Sequence, residues 1–392
     1  MSGPAGFDLI VSSDSHVVEP PDLWLERLPR DLRERAPRVV SEAAGDYWFV
    51  EGHRSNSFAG GSQAGQRFDD AGVLRSAARW DEVRPGAYLP EAHLDDNLRD
   101  GVAASVLYPT EGLLLFGVED PTLLQAICRS YNEWLAEFCA FDPQRLRGIA
   151  MVALDEVGWA IDEVARAADV GLAGVMIPVA TTPGDSYADE RYDPFWNAVA
   201  QAELPVSLHI GTNRGGLAAP GEFRSVSPVA VANADIWVRN SVGEMILGGV
   251  FSRHPRLRVG SVEHELAWIP FFLDRLDYTY TQRARRPGWQ QLADGTVPSD
   301  YFRRHVFTSF QEDARGFADR DVIGSEGMMF GSDYPHTEST FPRSRAVLSD
   351  LLGDVERGTA DAIAWRNCAR LYGIDEDALR GAPGATSATG GT

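Results

Sequence analysis

The chain has 392 residues and a formal net charge of −21, with 36 cationic side chains against 57 carboxylates. This acidity argues against nucleic acid or an anionic membrane surface as a partner, because both favour basic patches. Every cationic residue is an arginine, so a Schiff-base lysine and a carbamylated-lysine metal bridge are both excluded.

The N-terminal sequence and the small number of cysteines indicate the cellular compartment. The N-terminus has neither the charged start nor the apolar core of a signal peptide, and no run approaches 18 apolar residues. The three cysteines are too few and too scattered for a disulfide framework or a structural zinc site. We therefore expect a cytoplasmic protein that contacts no membrane, and a homodimer is possible for an acidic protein of this size.

The first predicted strand is the apolar run Leu9-Ile10-Val11, and polar residues follow it at once. Asp14 and His16 stand two apart, so strand periodicity puts both side chains on one face at the strand's carboxyl end. A helix begins near Pro21, and residues 44–92 are then irregular apart from a hairpin strand at Tyr47–Val50. This stretch is predicted to be an insertion that covers the mouth of a barrel.

From residue 102 onward, short apolar strands alternate with amphipathic helices. Together with the first strand they give eight strand–helix units, which favours a (β/α)8 TIM barrel with a helical C-terminal end over an open sheet. Residues 1–380 are predicted to form this single domain, and residues 381–392 a disordered tail. The seven further predicted strands are Val102–Tyr108, Ile149–Leu154, Ala173–Pro178, Val206–Ile210, Leu257–Val262, Val306–Phe310 and Met328–Gly331.

Potential metal ligands recur where four of these strands end, and a barrel would bring all four ends to one mouth. Each residue alone is a weak signal, but four of the eight histidines fall at these places, each near a carboxylate. The combination predicts a metal site rather than a polar mouth without metal. The candidate ligands are Asp14, His16, Glu19, His209, Glu263, His264, Asp333 and His336.

Eight candidates suffice for one ion or for two. Because there is no lysine, a protein bridge between two ions must be a carboxylate, for which Glu263 is the best candidate. Glu263 and His264 are neighbours and would point in opposite directions within a strand, so both can coordinate only if the strand has ended. Glu19 is the weakest candidate, since it can equally cap the following helix. Histidine mixed with carboxylate suits iron, zinc or manganese.

The segments Asp14-Ser15-His16-Val17-Val18-Glu19-Pro20 and Gly331-Ser332-Asp333-Tyr334-Pro335-His336 resemble the amidohydrolase-related family of TIM-barrel metalloenzymes. In the decarboxylases of this family, residues at the matching positions hold the metal. The resemblance therefore implies this role for Asp14, His16, His209 and Asp333. It also implies that His264, six residues before Pro270, is catalytic.

Two departures point to another branch of this family. Decarboxylases carry a glutamate where this chain has Ala267, and Glu263 and His336 look like added ligands. The pattern looks more like the nonheme diiron monooxygenases of platensimycin and platencin biosynthesis. That resemblance implies two Fe ions, O2, an electron donor and a hydrophobic or CoA-linked diterpenoid substrate, hydroxylated at an unactivated C–H bond, with Glu263 and His264 catalytic.

Polar and aromatic residues near the strand ends are candidates for binding the substrate: Asn213, Tyr334, Trp237 and Tyr108. For each aromatic residue, packing in the core is the alternative interpretation. The alternative function is a mononuclear Zn or Mn hydrolase or decarboxylase in which His264 acts as acid or base. A noncatalytic barrel that binds a ligand is a third possibility, and metal identity and oxygen dependence distinguish the three.

Overall fold

Eight parallel strands form the centre of the molecule in a computed structural model that describes residues 6–214, 228–283, 292–293 and 295–381. Each strand pairs with the next one along the barrel, in chain order. This is the predicted TIM barrel, and all eight predicted barrel strands are present. The strands are β1 (Val11–Val17), β5 (Ala104–Pro109), β6 (Leu146–Met151), β7 (Gly174–Ile177), β8 (Val206–His209), β9 (Val259–Val262), β10 (Val306–Phe310) and β11 (Met328–Phe330).

The first and last barrel strands are joined by backbone hydrogen bonds just beyond the end of β11. The amide of Asp333 donates to the carbonyl of Asp14 at 2.8 Å, and the amide of His16 donates to the carbonyl of Tyr334 at 2.6 Å. The barrel therefore closes at the point where these candidate ligands lie.

Helices surround the barrel, and the longer ones bury one apolar face against it. α5, for example, buries Leu124, Ile127, Tyr131 and Leu135, which recur at spacings of three and four residues. The helices are α1 (Leu23–Arg27), α2 (Ala59–Ser62), α3 (Pro90–Asp100), α4 (Gly112–Leu115), α5 (Pro121–Cys139), α6 (Val157–Asp169), α7 (Asp193–Gln201), α8 (Pro228–Ala232), α9 (Asp235–Leu247), α10 (Val250–Arg253), α11 (Ile269–Arg283), α12 (Pro298–His305), α13 (Ala314–Ala318), α14 (Arg320–Ile323), α15 (Ser344–Leu352), α16 (Arg357–Asp361), α17 (Asn367–Tyr372) and α18 (Glu376–Arg380).

The segment between β1 and β5 contains a separate antiparallel sheet of β2 (Arg38–Ser41), β3 (Asp46–Val50) and β4 (His53–Ser57). β3 includes the predicted hairpin strand. Past this sheet, the segment touches the loop after β11: Arg67 Nε donates to the carbonyl of Ser339 at 3.0 Å. This contact brings the insertion to the loop after β11, and coverage of the mouth stays a prediction.

Two further predictions concern the ends and the environment of the chain. The predicted tail, 381–392, lies outside the described residues apart from Gly381. Within the described ranges, no helix has the length and apolar character required to cross a bilayer. The three cysteines are buried and unpaired, as expected for small core residues.

Candidate metal centre

Four side chains, from β1 and from the ends of β8 and β9, converge at one place inside the mouth of the barrel. Asp14 and His16 lie on β1, His209 ends β8, and Glu263 follows β9. One ligand atom from each of these four residues lies within 4.8 Å of the others. Two groups that share members with this one are His16 with Asp333 and His336, and Glu263 with Asp333 and Glu338.

The atoms of the two central imidazoles lie close to several carboxylates. His16 Nε2 is 3.4 Å from Asp14 Oδ1 and 3.2 Å from Asp333 Oδ1. His209 Nε2 is 3.4 Å from the same Asp14 oxygen and 3.6 Å from Glu263 Oε2. Asp14, His16, His209 and Asp333 are at most 1% exposed, so water screens these charges little.

The hydrogen bond made by Nδ1 fixes the tautomer and orientation of each histidine, so that Nε2 faces the carboxylates. His16 Nδ1 lies 2.8 Å from the carbonyl of Pro109, and His209 Nδ1 lies 2.9 Å from the carbonyl of Ile210. Because a carbonyl oxygen only accepts, each Nδ1 carries a hydrogen and donates it. In the neutral imidazole, Nε2 then directs a lone pair at carboxylate oxygens, which is favourable only with a cation or a second proton between them.

Several buried polar atoms at this place have no hydrogen-bonding partner in the described part of the chain: Asp14 Oδ2, His16 Nε2 and Asp333 Oδ2. Buried polar atoms without partners are uncommon in folded proteins. Carboxylate oxygens mixed with imidazole nitrogens are suitable ligands for manganese or zinc. The residues present therefore fit a divalent ion.

The pKa values show how crowded the charges are. Burial raises the pKa of Glu263 well above its usual range, and the charges of Asp333 and Asp14 raise it further. Burial alone would also raise the pKa of Asp14, yet His209 and His16 together hold it below its ordinary value. Burial opposes a charge on His16, but Asp14 and Asp333 raise its pKa well above the usual range. The raised pKa values of Glu263 and His16 mean that protons on these groups reduce the repulsion between the carboxylates. A bound divalent cation would reduce that repulsion in the same way.

His336 lies against this cluster from the loop after β11. Its ring stacks on that of His16 with the centroids 3.9 Å apart, and its Nδ1 is 2.8 Å from Asp333 Oδ1. Its Nε2 is 3.0 Å from the hydroxyl of Thr110, which also lies 2.8 Å from the carbonyl of Val17. His336 is thus placed to orient Asp333, and Thr110 is placed to orient His336. The sequence analysis did not identify Thr110, and only its position directly after β5 could have suggested it.

β9 ends at Val262, and the next residue changes the direction of the chain. Glu263 has φ +61°, in the left-handed region that costs a non-glycine residue roughly 1–2 kcal/mol. Because the chain turns here, Glu263 points at the cluster while the next residue, His264, also stays close to it. In a continuing strand the two side chains would point to opposite faces. Asp333 has the same feature, with φ +57°, directly after the loop that leaves β11.

His264 is buried next to the cluster but is not among the converging ligand atoms of the described residues. Burial, together with the neighbouring His209, lowers its pKa to about 3. Its Nε2 makes no hydrogen bond within the described ranges, and Nδ1 lies 3.4 Å from the hydroxyl of Ser261. The ring is therefore available to exchange a proton with a bound molecule.

Glu19 does not join the metal cluster. Its carboxylate accepts hydrogen bonds from the amides of Glu111 at 3.0 Å and Gly112 at 2.9 Å, where α4 begins. The capping alternative is the one that the geometry supports, although the capped helix is α4 rather than the helix after Pro21.

The predicted substrate-binding residues fall into two pairs. Tyr108 and Tyr334 are at most 1% exposed, and their hydroxyls bond to Ser207 and Asp96 within the protein. Their placement supports the packing alternative rather than contact with a substrate. Asn213 is partly buried in the loop after β8, whereas Trp237 is 43% exposed on α9.

Tyr334 is anchored by residues at the end of the insertion and on the helix α3 that follows it. Asp96, on α3, accepts the Tyr334 hydroxyl and two hydrogen bonds from Arg84, both at 2.6 Å. Gly86 makes this approach possible, because a Cβ there would lie 2.2 Å from the tyrosine oxygen. Arg84 and Asp96 were missed by the sequence analysis, since nothing in the spacing relates residue 96 to residue 334.

Comparison with known proteins finds one family model and several curated relatives that match the chain. The Amidohydro_2 family model, described as amidohydrolase, matches residues 50–374. A γ-resorcylate decarboxylase of Rhodococcus jostii is 28% identical over 273 residues, which cover 64% of this chain and 77% of the relative. A 2-amino-3-carboxymuconate-6-semialdehyde decarboxylase of Dictyostelium discoideum is 20% identical over 75% of this chain and 79% of its own length.

Solved structures share the fold. An amidohydrolase of Mycobacterium avium subsp. paratuberculosis superimposes with a TM-score of 0.75 at 22% identity, covering 93% of this chain and 99% of the other. A 5-carboxyvanillate decarboxylase of Novosphingobium aromaticivorans, complexed with manganese, gives 0.66 at 18% identity, covering 95% and 97%.

The relatives overturn one prediction. The nonheme diiron monooxygenase is wrong, because the curated relatives are decarboxylases. Its CoA-linked substrate, O2 and electron donor lose their support with it. Two Fe ions are likewise not supported, since the decarboxylase structures described with a metal contain manganese.

Proposed function

The chain belongs to the amidohydrolase family, and from that membership and the geometry of the centre we propose that it is a metal-dependent decarboxylase of a small aromatic carboxylic acid. The observation that carries the proposal is the buried cluster in which two imidazole lone pairs face carboxylates at 3.2–3.6 Å. This arrangement is suited to a cation or a second proton between the rings and the carboxylates, and decarboxylases recur among the relatives.

One divalent ion, Mn²⁺ or Zn²⁺, would be held by Asp14, His16, His209 and Glu263, with Asp333 adjacent through His16. When bound, such an ion supplies positive charge that binds and orients the carboxylate of the substrate. The hydrogen bonds from His16 and His209 to backbone carbonyls keep both rings in the orientation this requires.

His264 is proposed as the acid and base. In a nonoxidative decarboxylation, a proton adds to the ring carbon that bears the carboxylate, and the bond to that carboxylate then breaks. Its electron pair returns to the ring and CO2 leaves, so that one proton is consumed for each CO2 released. The free Nε2 of His264, buried beside His209, is placed to hold that proton.

The test measures CO2 release from 2,6-dihydroxybenzoate and 5-carboxyvanillate by protein stripped with chelator and then reloaded with Mn²⁺ or Zn²⁺. We expect release only from reloaded protein. His264→Gln should keep the metal and lose most of the turnover, by about 100-fold or more for a proton-transfer residue.

A stoichiometrically loaded, folded protein that leaves a panel of hydroxylated benzoates intact would contradict the decarboxylase. His264→Gln with normal turnover would instead remove only the role given to this histidine.

A further inference from the structure

A second cavity lies at the opposite, amino-terminal end of the barrel strands. It has a volume of about 260 Å³ and lies between the starts of β8 and β9 and the helices α7 and α17. Catalytic sites of TIM barrels form at the other end, so this cavity belongs to no part of the metal centre.

Three arginines line the cavity: Arg256, Arg258 and Arg370. Among the described residues, no carboxylate oxygen lies within 4.0 Å of their guanidinium nitrogens, although Glu203 and Glu326 line the same cavity. Arg256 and Arg370 are exposed, whereas Arg258 is partly buried; most other partly buried arginines in the described ranges have a carboxylate partner, as Arg84 has Asp96 and Arg214 has Asp155.

Arg258 is the most deeply placed of the three. It is partly buried, and its Nε has no hydrogen-bonding partner in the described part of the chain. Burial lowers its pKa, and the like charge of Arg370 lowers it further. Arg370 in turn is directed into the cavity by bonds to Asn367 Oδ1 at 3.0 Å and to the carbonyl of Glu326 at 3.5 Å. Two neighbouring guanidinium groups with a buried, unused donor are an arrangement that an anion stabilises.

The rest of the wall is largely apolar, with Leu204, Phe307, Met329 and Leu371 among its residues. We propose that this cavity binds a small organic anion, whose carboxylate or phosphate meets Arg258 and Arg370 and whose apolar body contacts these side chains. A volume of about 260 Å³ accommodates a ligand about the size of a substituted benzoate. This inference does not depend on the proposed function.

Isothermal titration of chelator-stripped protein with benzoate tests the site, because stripping removes any binding that needs the metal centre. Inorganic phosphate and uncharged benzyl alcohol are the comparison probes. We expect one benzoate per chain, weaker binding of phosphate, and none of benzyl alcohol. Arg258→Gln/Arg370→Gln should weaken benzoate binding by tenfold or more, the usual consequence of losing charged hydrogen bonds.

The exposed pair Arg30→Gln/Arg38→Gln removes the same charge elsewhere and should bind as the wild type does. Arg370→Gln alone, at an exposed position, serves if the double variant does not fold. Equal benzoate binding by the variants, no saturable binding in the millimolar range, or tighter binding of phosphate than of benzoate would each overturn the proposal. These results leave CO2 release untouched, so failure here and failure of the decarboxylase are separable.

Discussion

At the scale of single residues, the tautomers of two histidines decide what the centre can bind. Nδ1 of His16 and Nδ1 of His209 each donate a hydrogen bond to a backbone carbonyl, which leaves both Nε2 atoms facing carboxylates. The same residues would be poor partners for an anion and good ones for a cation.

The first prediction concerns Asp14, whose Oδ1 is 3.4 Å from both Nε2 atoms. Asp14→Asn keeps the shape but removes the charge, so we expect Mn²⁺ affinity to fall by more than the roughly 10–100-fold typical of residues outside the ligand set. Competition with a fluorescent chelator measures the affinity. Asp31→Asn, at an exposed position, is the control and should not change it. Unchanged affinity in Asp14→Asn would place the ion elsewhere.

The second prediction concerns Tyr334, which lies between two residues of the metal cluster and is held by Asp96. Tyr334→Phe should lower the free energy of unfolding by about 1–2 kcal/mol, the usual cost of a lost buried hydrogen bond. Because the loop loses its anchor, metal affinity should fall as well, by about tenfold. A loss of stability with unchanged affinity would show that the tyrosine supports the fold alone. Tyr278→Phe, on the exposed face of α11, is the matched control.

At the scale of elements, the sequence predicts the barrel well and its turns poorly. Apolar runs identify all eight strands, because parallel strands buried on both faces have little polar content. For β1 the apolar run marks only the start: the strand continues through Ser12 and His16 to Val17, so Asp14 and His16 lie inside the strand rather than after it.

The candidate ligands were predictable because barrel topology alone brings the carboxyl ends of the strands together. What the sequence does not encode locally is conformation at single positions, such as the left-handed φ of Glu263 and Asp333. Contacts across hundreds of residues, such as Asp96 with Tyr334, are also beyond periodicity. The predicted function is wrong because it assigns two ligand-type residues, Glu263 and His336, to a second ion that the relatives do not support.

The third prediction concerns the junction of α3 and α15, where buried Asp100 accepts the amide and hydroxyl of Ser344. Burial raises the pKa of Asp100 to about 6 from 3.8, despite the bonds to Ser344. The folded protein therefore holds its proton more tightly than the unfolded chain, and stability falls as pH rises from about 4 to 6. The difference corresponds to roughly 3 kcal/mol of lost stability at neutral pH.

Asp100→Asn removes the ionisation, so its Tm relative to the wild type should rise between pH 4.5 and pH 7. Thermal unfolding at the two pH values measures this, with the exposed Asp354→Asn as control. A difference in Tm that does not change with pH would contradict the raised pKa.

At the scale of the whole molecule, a bound ion would join β1 to β8 and β9, which are far from β1 in the sequence. We expect plasma mass spectrometry to find about one Mn or Zn ion per chain. Because the ion binds only the folded state, Mn²⁺ at 100 times its dissociation constant should add about 2.7 kcal/mol to the free energy of unfolding. Tm should rise by several degrees, and chelator should reverse the rise. Asp14→Asn should show no such rise; an equal rise in that variant would indicate an ion bound at another place.

The closure of the barrel between Asp14 and Asp333 also has a consequence for biosynthesis. A nascent chain on the ribosome displays β1 first, whereas Asp333 and His336 are synthesised more than 300 residues later. Until then the barrel cannot close at β1, and His16 lacks the carboxylate of Asp333, which lies 3.2 Å from its Nε2 in the folded chain. We therefore expect a translation product truncated before Asp333 to bind the metal poorly and to associate through the open edge of β1.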